Sequence, residues 1–205
     1  AMGITHEGKK EVLDFRVARA ESQPAWEAFL NDLFRRGLTG EGVALAVCDG
    51  GAGLLAVLPL VYPQAKVQRC WAHKLRNIAD KVNRVDEKRL LSSAKRIYLA
   101  PHRKAALQVF RGWRDRWINQ YPKAVRCLEK DLDTLLTFFD FPAEMREHIR
   151  TTNFIERSFK EVRRRTRPIG CFNNAESCER IIYAVFVYLN SKWESDPLIE
   201  FAHNS

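Results

Sequence analysis

Val43-Ala44-Leu45-Ala46-Val47-Cys48-Asp49-Gly50-Gly51 is an unbroken apolar run that ends on a carboxylate and two glycines. A short run of this kind, bounded by turn signals, predicts a strand buried on both faces, as in a parallel sheet. Its neighbours continue the pattern: Leu54 to Val61 reads as a helix, Ala65 to Gln68 as a second short strand, and Trp71 to Val82 as a further helix. Strands alternating with helices predict an α/β layer with crossover connections. Upstream, Ile4-Thr5 leads into His6-Glu7-Gly8-Lys9, a turn with glycine where positive φ is wanted, and Glu11 to Ala18 returns with strand-like residues, which is a β-hairpin pattern. Pro24 to Arg36 is a helix by spacing, with Trp26, Phe29, Leu30, Leu33 and Phe34 on one stripe and Gly37 as its stop signal.

From about Asp80 to Arg150 the strand signal disappears. Leu90 to Leu99, Arg103 to Tyr121 and Lys123 to Phe139 read as helices, and two more follow at Asn153 to Arg165 and Ala175 to Trp193. The expected organisation is therefore an α/β part over 1–79, an all-helical insertion over 80–150, and C-terminal helices over 151–205 that return to the first part.

The 205 residues suffice for one substantial core, and 46% hydrophobic with 11% aromatic content is the composition of a folded chain. No run approaches the roughly 18 apolar residues of a membrane span, and the first residues lack the pattern of a signal peptide. Five widely spaced cysteines, an odd number, favour reduced thiols in a cytosolic setting. The net charge of +9 points to a polyanionic partner. It is concentrated: between Arg146 and Gly170 eight basic residues face three acidic ones, so 25 residues carry +5.

Two carboxylates stand out. Asp49 lies where an apolar strand gives way to a glycine turn and a helix, the end at which open α/β sheets bind ligands; it also suits a plain turn or helix-cap role. Glu156 falls in the first turn of its helix, where Asn153-x-x-Glu156 matches a capping box. On that helix Glu156, Lys160, Arg163 and Arg167 share one face, beside an apolar stripe of Ile155, Phe159 and Val162. Such a helix would dock by the stripe and present one carboxylate and a row of cations to a phosphate backbone. The same face also reads as a solvated one, with Lys160 pairing Glu156. Cys70-x-x-His73 supplies half of a zinc site, so zinc is not expected; His73, Lys74, Arg76 and Asn77 could face a polar site at the start of their helix. Trp113 and Trp117, one turn apart among arginines, could stack on unpaired bases, but at helical spacing they read first as core.

In order and spacing, Cys48-Asp49-Gly50-Gly51-Ala52-Gly53-Leu54, Tyr62-Pro63-Gln64-Ala65, Gln68-Arg69-Cys70-Trp71-Ala72-His73-Lys74-Leu75-Arg76-Asn77 and Thr151-Thr152-Asn153-Phe154-Ile155-Glu156-Arg157, continuing through Arg163-Arg164-Arg165-Thr166-Arg167-Pro168-Ile169-Gly170-Cys171-Phe172, resemble the bacterial Mutator-type transposases of insertion sequences. With the hairpin Glu7 to Leu13 the resemblance spans nearly the whole chain. It implies an RNase H-like mixed sheet flanked by helices, with an all-helical insertion ahead of the last catalytic residue. It implies an Asp-Asp-Glu triad holding two divalent ions, Mg2+ or Mn2+, in which Asp49 is the second aspartate and Glu156 the glutamate. His73 would join the catalytic site, orienting a water or phosphate, with Cys70 and Asn153 as further signature residues. Arg157, Lys160, Arg163, Arg164, Arg167, Lys74 and Arg76 would meet DNA. In the family the first aspartate sits on a central strand ahead of the hairpin, so the resemblance implies that this strand lies outside these residues; Asp14 does not replace it. The implied function is transposition: cleaving and joining DNA strands at transposon ends and target DNA, by a cytoplasmic, nucleoid-associated homo-oligomer with no membrane partner. The alternative is a truncated, non-catalytic DNA-binding remnant of such an enzyme.

Overall fold

The structure, a computed structural model, describes residues 1–18, 20–172 and 174–198. Its order is β1 (Met2–Ile4), β2 (Lys10–Val12), α1 (Gln23–Arg35), β3 (Leu45–Cys48), α2 (Ala52–Val61), β4 (Lys66–Arg69) and α3 (Trp71–Ala79). There follow α4 (Arg84–Tyr98), α5 (Arg103–Trp117), α6 (Pro122–Glu129), the single turns α7 (Leu132–Leu135) and α8 (Arg146–Ile149), then α9 (Asn153–Thr166) and α10 (Ala175–Glu194). The fold is mixed α/β but mostly helical, with two separate two-stranded sheets among the described residues: β1 antiparallel to β2, and β3 parallel to β4. The strands are shorter than the sequence patterns. The expected return strand from Glu11 to Ala18 ends at Val12, and β3 is not covered on both faces, since only its last residue, Cys48, is buried. The helix expected from Lys123 to Phe139 ends at Glu129, after which the chain continues as α7 and a 3-10 turn.

The chain forms two compact units. The first comprises residues 1–44, 51–65 and 153–205. In it α9 and α10 share a core of Val162, Val185, Phe186 and Leu189, flanked by Val12, Phe15, Ile182 and Trp193. Asn190 of α10 joins β2 through its side chain, accepting from the Val12 N–H at 2.8 Å and donating to the Val12 carbonyl at 3.1 Å. This satisfies backbone groups that a lone hairpin would leave to water. The hairpin turn requires Gly8: its φ is +78°, and a Cβ there would sit 2.0 Å from the Leu198 carbonyl oxygen. Elsewhere in this unit α1 packs on α2, burying Phe29, Leu30, Leu33, Val57, Leu58 and Tyr62.

The second unit comprises residues 45–50 and 66–152. Helices α4, α5 and α6 bury Leu90, Ala94, Ile97, Phe110, Val125 and Leu128. Trp113 and Trp117 belong to this core, with their indole N–H groups donating to the Leu90 carbonyl at 3.3 Å and to Ser93 Oγ at 3.2 Å. The stacking-platform alternative is thereby overturned in favour of packing. Fully buried Gln68 of β4 ties the parallel pair to this layer: its Nε2 donates to the Leu135 carbonyl at 3.0 Å and its Oε1 accepts from the Phe138 N–H at 2.7 Å.

Candidate functional site

Asp49 follows the last residue of β3 and is exposed. The next residue, Gly50, has φ +96°, a left-handed conformation that glycine adopts without a side-chain clash. The register of the parallel pair sets Arg69 opposite Cys48, so the Arg69 side chain reaches this turn. Its Nη2 donates to the Asp49 carbonyl at 3.4 Å and its Nη1 meets Asp131 at 3.1 Å. Asp131 also pairs with the Lys74 ammonium, which donates to the Cys127 carbonyl at 3.0 Å. Burial pushes the Cys48 thiol up to about 11, against the opposing effects of the Gly50 backbone and Arg69. Cys48 is therefore a protonated thiol near neutral pH.

The Cys70-x-x-His73 pair sits at the start of α3, and its partner is a residue distant in sequence. Cys70 is buried, and its sulfur accepts from the Thr152 N–H and lies the same 3.3 Å from the Thr152 hydroxyl. That hydroxyl is also 3.4 Å from His73 Nδ1. One step earlier, the Trp71 N–H donates to the Arg150 carbonyl at 3.1 Å. The signature thus secures the residues that lead directly into α9. Half-buried His73 keeps its ring edge at this junction.

Helix α9 begins at Asn153 itself, one residue earlier than a capping box with Asn153 as its cap would need. It docks on Ser158 and Val162, with Ile155 half-buried. Phe159 departs from the expected stripe: it is 43% exposed and meets Phe186 only edge-on, ring centroids 6.2 Å apart. Arg157, Lys160, Arg163, Arg164 and Arg167 are exposed, and Glu156 is half-buried. Arg164 is engaged by Glu161 through Nε at 3.1 Å and Nη2 at 2.9 Å; the same contact holds the Glu161 carboxyl below its usual range.

Among the residues expected to face DNA, Arg76 is exposed but Lys74 is not. Trp71, Lys74 and Ile78 form the buried stripe of α3, and only 4% of Lys74 remains accessible. The polar character of lysine suggested an outward face, whereas its spacing from Trp71 and Ile78 determines the inward one. Asp131 compensates the buried charge. Arg69 and Asp131 did not stand out in the sequence. Arg69 had one visible clue, its place beside Cys70 at the end of a strand; Asp131 lies far along the chain and had none.

The carboxylates of Asp49 and Glu156 are hard oxygen donors of the kind magnesium prefers. Among the described residues no group of three or more His, Cys, Asp or Glu side chains forms a metal-holding cluster. The donor chemistry of each carboxylate fits a divalent ion.

Comparison with known proteins supplies the family. Residues 1–196 match the family described as "Transposase, Mutator family". The chain is 36% identical, over 94% of its length, to the transposase for insertion sequence element ISRM5 of Rhizobium meliloti (strain 1021), covering 48% of that protein. It is 38% identical over 94% of its length to the transposase for IS905 of Lactococcus lactis subsp. lactis, covering 48%. It is 41% identical over 85% of its length to the transposase for IST2 of Acidithiobacillus ferrooxidans, covering 59%. The chain thus spans about half the length of the curated relatives it matches. With a family match across almost all its residues, including both carboxylate-bearing segments, the chain belongs to the Mutator family of transposases.

Proposed function

We propose that this chain is catalytic-domain sequence of a DDE-type transposase that cleaves and joins DNA strands for an insertion sequence, with Asp49 and Glu156 as two of its metal-binding carboxylates. The observation that carries this reading is the family match over residues 1–196, which includes both residues in their motifs. In this reading the core is RNase H-like, residues 80–150 are its helical insertion, and a central strand with the first aspartate lies outside these residues. The family makes divalent-metal dependence the expectation, with two Mg2+ or Mn2+ ions. When bound, such ions supply Lewis-acid stabilisation of the attacking and leaving oxygens of an in-line displacement at phosphorus.

The chain's own residues contribute placement and charge. Asp49 leaves the end of a parallel strand on a turn braced by Arg69, and Glu156 stands at the start of a helix whose exposed face carries Arg157, Lys160, Arg163 and Arg167. Cations along a helix suit the phosphates of transposon ends and target DNA, fixing the duplex without reading its sequence. His73, at the start of α3, orients a water or phosphate, and Arg76 is the exposed cation of that helix. A homo-oligomer on paired ends in the bacterial nucleoid completes the reading.

Glu156→Gln tests it. The variant keeps the shape of the side chain but removes the anion and one acceptor oxygen. In protein that includes the strand with the first aspartate, strand transfer on element-end duplex with Mg2+ should therefore be abolished while affinity for the duplex stays near that of the unaltered protein. Retained strand transfer would remove Glu156 from the catalytic set. DNA binding without metal-dependent cleavage, even with the strand that carries the first aspartate restored, would favour a non-catalytic DNA-binding remnant.

A further inference from the structure

Arg69 makes contacts unusual for the end of a short strand. Its guanidinium lies against the Cα of Gly50: an added Cβ there would sit 2.0 Å from its Cζ and Nη2. Glycine is thus required twice, once by the φ of +96° and once by the cation packed on it. The same guanidinium donates to the Asp49 carbonyl and pairs with Asp131. Asp131 is itself fixed, because buried Lys74 holds its other oxygen and is anchored to the Cys127 carbonyl. Only 12% of the Arg69 side chain and 14% of the Asp131 side chain are accessible. Ion pairs so sheltered are less screened than surface ones, and removing one member leaves an uncompensated charge. Two cations share one carboxylate, so the cluster carries a net positive charge beside Asp49.

We propose that Arg69 is a positioning residue for Asp49: clamped by Asp131, it braces the Asp49-Gly50 turn in the conformation from which the Asp49 carboxylate takes part in metal binding. This rests on the reading of Asp49 as a metal-binding carboxylate. The task calls for arginine. A planar fork can address Asp131 with one arm and the turn with another while its face covers Gly50; a lysine ammonium is a single point charge on a flexible stem. Lys74 reaches Asp131 from the other side and keeps that carboxylate from turning away, so the brace extends from α3 through residue 131 to the turn.

The test compares Arg69→Met, Arg69→Lys and Asp131→Asn in the full chain. Backbone amide order parameters, measured by NMR relaxation, should fall at residues 49–51 from about 0.85 to below about 0.6 in all three variants, while residues 45–48 and 66–69 stay rigid. A merely structural role would instead loosen the whole parallel pair and lower the melting temperature, leaving no selective effect at the turn. In parallel, the half-saturating concentration of Mn2+ alone should rise about tenfold, the scale on which supporting residues act on a metal ligand. Asp131→Asn leaves Lys74 without its carboxylate and is the variant at risk of misfolding; the two Arg69 variants decide the matter without it. Order parameters at 49–51 unchanged in Arg69→Met and Arg69→Lys overturn the proposal. Asp49→Asn separates it from the reading beneath: if that variant binds Mn2+ as the unaltered chain does, the metal role of Asp49 fails, and the order parameters alone decide whether Arg69 braces the turn.

Discussion

At the scale of single residues, burial decides what the polar and sulfur side chains do. Lys74 shows this most clearly: its type suggests phosphate, and its position gives it to Asp131. The cysteines show it chemically. All five are free thiols, with Cys48 and Cys70 buried and Cys171 exposed. Burial also raises the Cys48 thiol to about 11, so at pH 8 it is almost wholly protonated and unreactive. A thiol-specific disulfide reagent at pH 8 should therefore modify Cys171 first, and Cys48 only on unfolding; prompt modification of Cys48 in the folded chain, followed by mass spectrometry, would contradict the packing around β3. The odd cysteine count already indicated reduced thiols. Which of them were sheltered was not legible, because exposure depends on neighbours contributed from far along the chain. The thiol of Cys70, for example, is met by Thr152.

At the scale of elements, helical periodicity was a good guide to existence and a weaker one to orientation. Helix α9 appears close to its expected bounds, yet its docking stripe is turned so that Ser158 and Val162 are buried while Phe159 is only partly covered. Ser158 is small, and its hydroxyl donates to the Phe154 carbonyl at 2.9 Å, so burying it leaves no unmet hydrogen bond. The basic face survives this rotation, but its members are not equivalent. Arg163 forms no ion pair among the described residues, whereas Arg164 is already held by Glu161. If α9 meets duplex DNA, Arg163→Ala should make the slope of log affinity against log salt shallower by about 0.9, the value of one phosphate contact. Arg164→Ala should change it less, since Glu161 must first release that side chain. Equal, unchanged slopes for both variants, measured by fluorescence anisotropy, would show that α9 does not touch phosphate.

At the scale of the whole molecule, the charge distribution differs from its appearance along the sequence. The segment Arg146 to Gly170 is locally basic, yet the first unit, which holds most of it, has 14 Lys and Arg against 14 Asp and Glu. The second unit has 20 against 11 and so carries the entire net charge of +9. Helix α4 contributes +3 of this excess, with Arg84, Lys88, Arg89, Lys95 and Arg96 exposed and its acidic residues, Asp86 and Glu87, half-buried. Asp86 is drawn inward by the Tyr121 hydroxyl, which donates to it at 2.8 Å. Replacing Lys88, Lys95 and Arg96 together by alanine should weaken non-specific duplex binding at low salt more than replacing three exposed cations of the first unit, Lys9, Arg16 and Arg35, with the melting temperature unchanged; equal effects would mean that this excess charge has no preferred partner surface. The sequence alone determined the family, the hairpin, the alternation of β3, α2, β4 and α3, the helical stretch after them and the candidate carboxylates. These follow from local signals: apolar period, glycine at turns, and motif spacing read along one dimension. Tertiary structure decided which face of each helix is inside, that Lys74 serves Asp131, that Arg69 lies on the Asp49-Gly50 turn and that Cys70 and His73 meet Thr152. These contacts join residues separated by many positions, and their energies depend on burial and register, which arise only when the chain has folded.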